Sequence, residues 1–275
     1  MESRLTPYQA SAIIPCQKAL VFAPHPDDET LGCGGLLAAY QEACIPTQAI
    51  LITSGDFGEH GKQGSAVREQ ETRAAVKILG VESVDFWQEK DRGVRCDERS
   101  IEAARLAIVN SGADLILTTS FNEIHPDHRA TAWLVIEATR RLVNEGKDLR
   151  IAMYEVGAPL ARVDILIDIT AFEAKKRAAI AVYHSQLNIS PYDEYIFALN
   201  HFRTYTLSPQ VKYAEAFCLL TPELLRHPHL LSEAELMRQE RLQLTDVPMP
   251  SAYRSDSTGT GIFSALKKLL RGSQH

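Results

Sequence analysis

Two short segments concentrate the side chains that hydrolytic chemistry uses: His25-Pro26-Asp27-Asp28-Glu29 and His125-Pro126-Asp127-His128. Imidazole and carboxylate together form a donor set suited to a divalent transition metal, and a catalytic zinc takes three protein ligands and keeps one position for water. His25 and Asp28 are three residues apart, so a first helical turn presents both toward one point. One histidine of the second segment, His125 or His128, completes a set of two histidines and one aspartate. Asp27 is then left over as a base toward the water. The competing reading is structural, because Pro followed by acidic residues is an ordinary helix start. That reading covers either segment alone. It does not account for two His-Pro-Asp segments, each just past a predicted strand.

The elements that position these segments alternate along the chain. Apolar runs predict strands over 19–23, 48–53, 84–87, 114–119, 151–156, 163–169 and 213–220. Helical patterns fall at 30–44, 65–80, 100–110, 129–144 and 171–183. Strands separated by helices imply right-handed crossovers and a mainly parallel sheet, so the expected fold is α/β, a Rossmann-like three-layer α/β/α arrangement. With a strand order of 3-2-1-4, the first and fourth strands are neighbours where the order reverses. Ligands bind there, outside the carboxyl ends of the strands, and both His-Pro-Asp segments meet in that crevice. The Gly32-Cys33-Gly34-Gly35 run is no dinucleotide loop, since it lacks the G-x-G-x-x-G spacing and lies inside a helix rather than at its entrance. It is expected to serve close helix–sheet packing.

The core domain is expected to span 1–225, with 226–275 a C-terminal helical appendage. Within the appendage, 231–243 reads as a charged helix, 255–261 as a Ser/Thr/Gly linker, and 262–271 as a short basic amphipathic helix. Lys267, Lys268 and Arg271 oppose Ile262, Phe263, Leu266, Leu269 and Leu270, a pattern that fits a membrane interface, the chain's own domain or a partner subunit.

Composition narrows the class. The 275 residues are 45% hydrophobic and 23% charged, ordinary values for a globular protein. The 29 basic and 35 acidic residues leave a net charge of -6, with no basic excess for nucleic acid. Five scattered cysteines without a CxxC pair fit a reducing compartment. No signal-like leader or membrane-spanning run is visible, so a cytoplasmic location is expected.

The two motifs resemble those of the LmbE-like, or PIG-L, zinc-dependent de-N-acetylases. Ala23-Pro24-His25-Pro26-Asp27-Asp28-Glu29 is similar to one family signature and His125-Pro126-Asp127-His128 to the other. Thr53-Ser54-Gly55-Asp56-Phe57-Gly58, Arg68-x-x-Glu71, Ile78-Leu79-Gly80-Val81 and Asp91-Arg92-Gly93 add to a likeness that covers about residues 19–220. The resemblance implies metal ligation by His25, Asp28 and His128, Asp27 as general base, and His125 as oxyanion stabiliser or proton donor to the leaving amine. It implies that Asp127 orients a neighbouring histidine, and that Arg68 and Asp91 hold substrate hydroxyls or phosphate. Two positions depart from the pattern. Glu123 stands where related enzymes have a tyrosine that assists the oxyanion, and Tyr183 takes the histidine slot of an H-x-S-Q element.

The expected activity is metal-dependent removal of the acetyl group from an N-acetylated amino sugar or glycoconjugate, releasing acetate and a free amine. Zn2+ is the expected cofactor, with Fe2+, Co2+ or Mn2+ chemically compatible. The rival readings are an amidase for a larger acyl or thiol-conjugate amide, and a non-catalytic sugar- or nucleotide-binding module. The sequence leaves the oligomeric state and the acceptor sugar open.

Overall fold

A computed structural model describes residues 6–55 and 61–227. The elements run β1 (Ala19–Ala23), α1 (Asp28–Glu42), β2 (Thr47–Thr53), α2 (Gly61–Leu79), β3 (Ser83–Glu89), α3 (Glu98–Ser111), β4 (Leu115–Thr119), α4 (Pro126–Asn144), β5 (Arg150–Tyr154), β6 (Ile165–Asp168), α5 (Glu173–Ile180), α6 (His184–Leu187), α7 (Tyr192–Phe202), β7 (Ala214–Leu220) and α8 (Pro222–Arg226). They build a seven-stranded sheet in the order β3-β2-β1-β4-β5-β7-β6. Strands β3 to β5 are parallel, while β7 runs antiparallel to both β5 and β6. The expected 3-2-1-4 order is therefore present, and β1 is the strand at which the direction of winding reverses.

Burial explains the residue types. Every residue of β1 and β4 is buried, as suits central strands covered on both faces, and both read as continuous apolar or Thr-rich runs. Right-handed crossovers that step outward from β1 in opposite directions put their helices on opposite faces. Accordingly α1, α2 and α5 pack together, and α3, α4 and α8 pack together. The main core gathers around β1, β2, β4 and α1, with Phe217 of β7, Tyr154 of β5 and Tyr40 wholly buried.

Helix α1 is broken at Cys33, whose backbone leaves the helical region (φ -136°, ψ 18°). Gly32 and Gly35 lie hard against neighbouring side chains. A Cβ on Gly32 would come within 2.1 Å of Tyr154, and one on Gly35 within 2.4 Å of Ile169. Close packing is thus the use of the glycine run.

The structure differs from the expected elements in instructive ways. Helices α1 and α4 begin two and three residues early, taking the acidic motif residues into their first turns. The expected helix over 171–183 closes at Ile180, because Tyr183 turns inward to bond Glu29. Helices α6, α7 and α8 were not foreseen; α7 forms by burying Ile196, Phe197 and Asn200. The patterns at 231–243 and 262–271 lie outside the described residues. Among the described residues, no helix is long and apolar enough to cross a membrane.

Candidate active site

The β1–α1 and β4–α4 junctions meet at the switch point, and three donor atoms converge there. His25 Nδ1 lies 3.0 Å from Asp28 Oδ2 and 3.2 Å from His128 Nε2, and the last two atoms are 3.1 Å apart. A tetrahedral cation with bonds of about 2.1 Å would separate its ligands by about 3.4 Å. The triangle is within a few tenths of an ångström of that, and its two imidazoles and one carboxylate are apt donors for a transition metal. All three side chains are buried. The residues present fit the cation the motifs imply.

Each imidazole is also held from behind. His25 Nε2 faces Asp127 Oδ2 at 3.2 Å, and His128 Nδ1 faces Glu123 Oε2 at 3.5 Å, an ion-pair distance. Asp127 is itself fixed by the Arg92 and Val94 amides at 2.6 and 3.2 Å. Glu123 accepts the Val156 amide at 2.8 Å and the Gly157 amide at 3.0 Å. Carboxylates behind ligating histidines orient the rings and raise their basicity. Burial disfavours charge on both rings, but the carboxylates outweigh it. Asp127 and Asp28 bring His25 up to about 9, and Asp28 and Glu123 bring His128 up to about 10. Burial would raise Asp28, yet the two histidines hold it well below the usual carboxylate range. Without a metal, protons do the cation's work.

Asp27 sits in a costly conformation, φ 133° and ψ -28°, in the left-handed half of the map that a side chain disfavours. Its surroundings over-determine it. Its N–H reaches Glu29 Oε2 at 3.2 Å, and its carbonyl accepts the Thr30 and Leu31 amides at 3.0 and 2.9 Å. Arg68 donates to the Asp27 carboxylate at 3.3 Å and to the Pro26 carbonyl at 2.7 Å. The guanidinium lies over Gly55, where a Cβ would come within 2.5 Å of it and where φ is +66°. Burial pushes the Asp27 carboxyl up to about 7, with Arg68 restraining the rise. Such a group is a carboxylate poised to take a proton near neutrality.

His125 caps α4, and its Nδ1 accepts the Asp127 amide at 3.2 Å. That assigns the ring proton to Nε2. The ring stands edge-on to His25 with centroids 4.6 Å apart, and it is half-buried rather than enclosed. Burial and the neighbouring His25 and His128 keep its pKa low. A neutral, donating imidazole thus borders the donor triangle. His25, His125 and His128 offer nitrogens all within 4.8 Å of one another, as do His25, Asp91 and Asp127 with their donor atoms. Asp91 is buried, with Oδ1 3.8 Å from His25 Nε2.

All eight residues singled out from the sequence therefore gather in one place, Arg68 by way of its hydrogen bond to Asp27. Sequence reasoning missed the support: Glu123 behind His128, Glu29 on the Asp27 amide, and Tyr183 on Glu29. Glu29 had a signal in its place inside the first motif, whereas Glu123 and Tyr183 stood out only as departures from the family pattern, with no hint of these contacts.

Fold and site together define a doubly wound α/β protein with a buried His/Asp cluster at its switch point that could hold a cation. Residues 20–139 match the model of the PIG-L family, described as GlcNAc-PI de-N-acetylase. A probable N-acetyl-alpha-D-glucosaminyl L-malate deacetylase 2 of Bacillus subtilis is 27% identical over 187 residues, covering 62% of this chain and 83% of that protein. The N,N'-diacetylchitobiose deacetylase of Pyrococcus horikoshii superposes with a TM-score of 0.65 at 21% identity, over 76% of this chain and 85% of that one. GalB, the 4-carboxy-2-hydroxymuconate hydratase of Pseudomonas putida, superposes equally well, TM-score 0.65 at 24% identity, over 74% of this chain and 97% of that one. Likeness at this level is likeness of fold, so the function must be argued from the site.

Proposed function

We propose that this chain is a zinc-dependent N-deacetylase that hydrolyses the acetamide of an N-acetylated amino sugar or glycoconjugate, with residues 1–225 as the catalytic unit and 226–275 as an appendage. The observation that carries it is the strained, buried Asp27 beside the His25–Asp28–His128 triangle, within a PIG-L domain. His25, Asp28 and His128 would hold the cation. When bound, it supplies an acidified water, pKa about 7, and polarisation of the acetyl carbonyl.

The chain's own residues do the rest. Asp27 takes the proton as water adds to the carbonyl, and its burial matches its proton affinity to neutral pH. The His125 Nε2–H donates a hydrogen bond to the oxyanion, and the proton that Asp27 took from water passes to the departing amine, so that acetate and a free amine result. Arg68 holds Asp27 in its conformation, and Asp127 and Glu123 keep His25 and His128 turned toward the centre. Arg68 and Asp91 also border the space where sugar hydroxyls would lie.

The test is acetate release from N-acetylglucosamine, N,N'-diacetylchitobiose and malate- and inositol-linked N-acetylglucosamine, with zinc and with chelator. Metal-dependent acetate from at least one is expected. Full zinc occupancy with no acetate from any of them overturns the reading and favours an amide with a larger acyl group.

A further inference from the structure

The segment joining α5 to α7 is tied to the site at three points. Tyr183 donates its hydroxyl to Glu29. Ser185 donates its N–H and its hydroxyl to Glu71 at 2.9 and 2.6 Å, and Glu71 is one turn along α2 from Arg68. Ile196 and Phe197 of α7 pack on Leu31, in the first turns of α1. The chain between these anchors is thus held beside Asp27 and Arg68, and there it exposes apolar side chains instead of hiding them. Ile189 is 74% exposed, Tyr192 37% and Tyr195 60%. Burial raises the Tyr192 phenol, and the nearby Asp27 carboxylate adds to the rise, so this ring stands within electrostatic reach of the base.

Resting on the deacetylase reading, we propose that Tyr192 and Tyr195 form a stacking platform for a second, uncharged pyranose ring, joined to the amino sugar whose acetamide lies at Asp27. The two tyrosines stand three residues apart on one face of α7, about 4.5 Å along the helix axis, which is the width of a single sugar ring. A pyranose has an apolar C–H face rimmed by hydroxyls. Tyrosine offers the complement, a rigid apolar face with a polar tip and little entropy to lose. The neighbours on α7 decide the charge of the occupant. Asp193 and Glu194 follow Tyr192 directly, so a carboxylate or phosphate at this place would meet like charge. The chain is therefore built for a neutral disaccharide-like substrate in preference to an acid-bearing conjugate.

The experiment compares zinc-loaded wild type, Tyr192→Ala, Tyr195→Ala and Tyr192→Phe on N,N'-diacetylchitobiose and N-acetylglucosamine. The ratio of kcat/KM for the disaccharide to that for the monosaccharide falls about five- to tenfold in each alanine variant, through KM. Tyr192→Phe keeps the ratio. A constant ratio, or a phenylalanine variant as impaired as the alanine one, overturns the platform. Binding separates this from the reaction itself. With Asp27→Asn in the zinc-loaded chain to stop turnover, calorimetry with N,N'-diacetylchitobiose is expected to show weaker binding when Tyr192→Ala is added. If the disaccharide binds no more tightly than N-acetylglucosamine, the platform fails even where acetate release succeeds. If no acetate is released but Tyr192 still governs disaccharide binding, the deacetylase reading fails and the platform stands.

Discussion

Lys176 and Glu215 form a wholly buried ion pair, Nζ to Oε1 2.8 Å, that fills the break in α1. Lys176 donates to the Leu31 carbonyl at 2.8 Å, and Glu215 accepts the Gly35 and Leu36 amides at 2.7 and 2.8 Å. An unbroken helix would pair Gly35 with Leu31 directly. The ion pair, brought from α5 and β7, satisfies these groups across the break, and Asn200 of α7 completes the Lys176 shell at 3.0 Å. The turn that carries Asp28 is thereby set apart from the rest of α1 without leaving buried polar groups unpaired.

Breaking this pair is therefore costly. Lys176→Met or Glu215→Gln should each destabilise the fold by about 3–5 kcal/mol, because each leaves buried polar groups uncompensated. Denaturant unfolding checks this, and the double variant should lose less than the sum. Strict additivity would show that the two side chains do not act as a unit.

Metal binding should be coupled to protons. His25 and His128 are raised from 6.5 to about 9 and about 10 in the metal-free protein, so at pH 7.5 both carry protons that a cation displaces. Calorimetry in buffers of different ionisation enthalpy should report the release of about two protons per zinc. The sign for stability is also set. Groups with raised pKa values stabilise the fold fully below the unfolded value of 6.5, and that contribution is lost as pH rises through 9 to 10. The chelated protein should lose thermal stability over that window, whereas the zinc-loaded protein should not share the loss.

Asp27→Asn should lower kcat by about 10²- to 10⁴-fold while leaving zinc content unchanged. His25→Ala, Asp28→Ala and His128→Ala should instead lose the metal. Metal analysis beside acetate assays separates the two kinds of defect, and an Asp28→Ala protein with full zinc and full activity would contradict the ligand set.

Glu123→Gln and Asp127→Asn should weaken zinc binding about 10- to 100-fold without abolishing it. Competition with a chromogenic chelator measures the change. An unaltered affinity in Glu123→Gln would reduce Glu123 to a clamp for the Val156 and Gly157 amides.

Much of this site is legible in the amino-acid sequence. His25, Asp27, Asp28, Asp127 and His128 stood out because two short motifs bound each group to its neighbours by local spacing, and apolar runs placed both motifs at strand ends. The supporting residues were not legible. Glu123 stood out only as the residue in a tyrosine's place, which does not tell that it backs His128, and Lys176 and Glu215 lie 39 residues apart with no shared motif. Helix α7 escaped notice because burial of Ile196 and Phe197 against Leu31, rather than local pattern, holds it in place.

The sequence by itself determined the winding and the chemistry: alternating apolar runs and amphipathic stretches dictate a doubly wound sheet, and the two His-Pro-Asp segments dictate a His/Asp centre at its reversal. Only the tertiary structure decided how the donors are aimed. It gave each histidine its own carboxylate, forced Asp27 into a strained backbone under Arg68, and brought Tyr192 to the rim. These depend on contacts between residues remote in the chain, and local spacing carries no information about which remote side chains will meet.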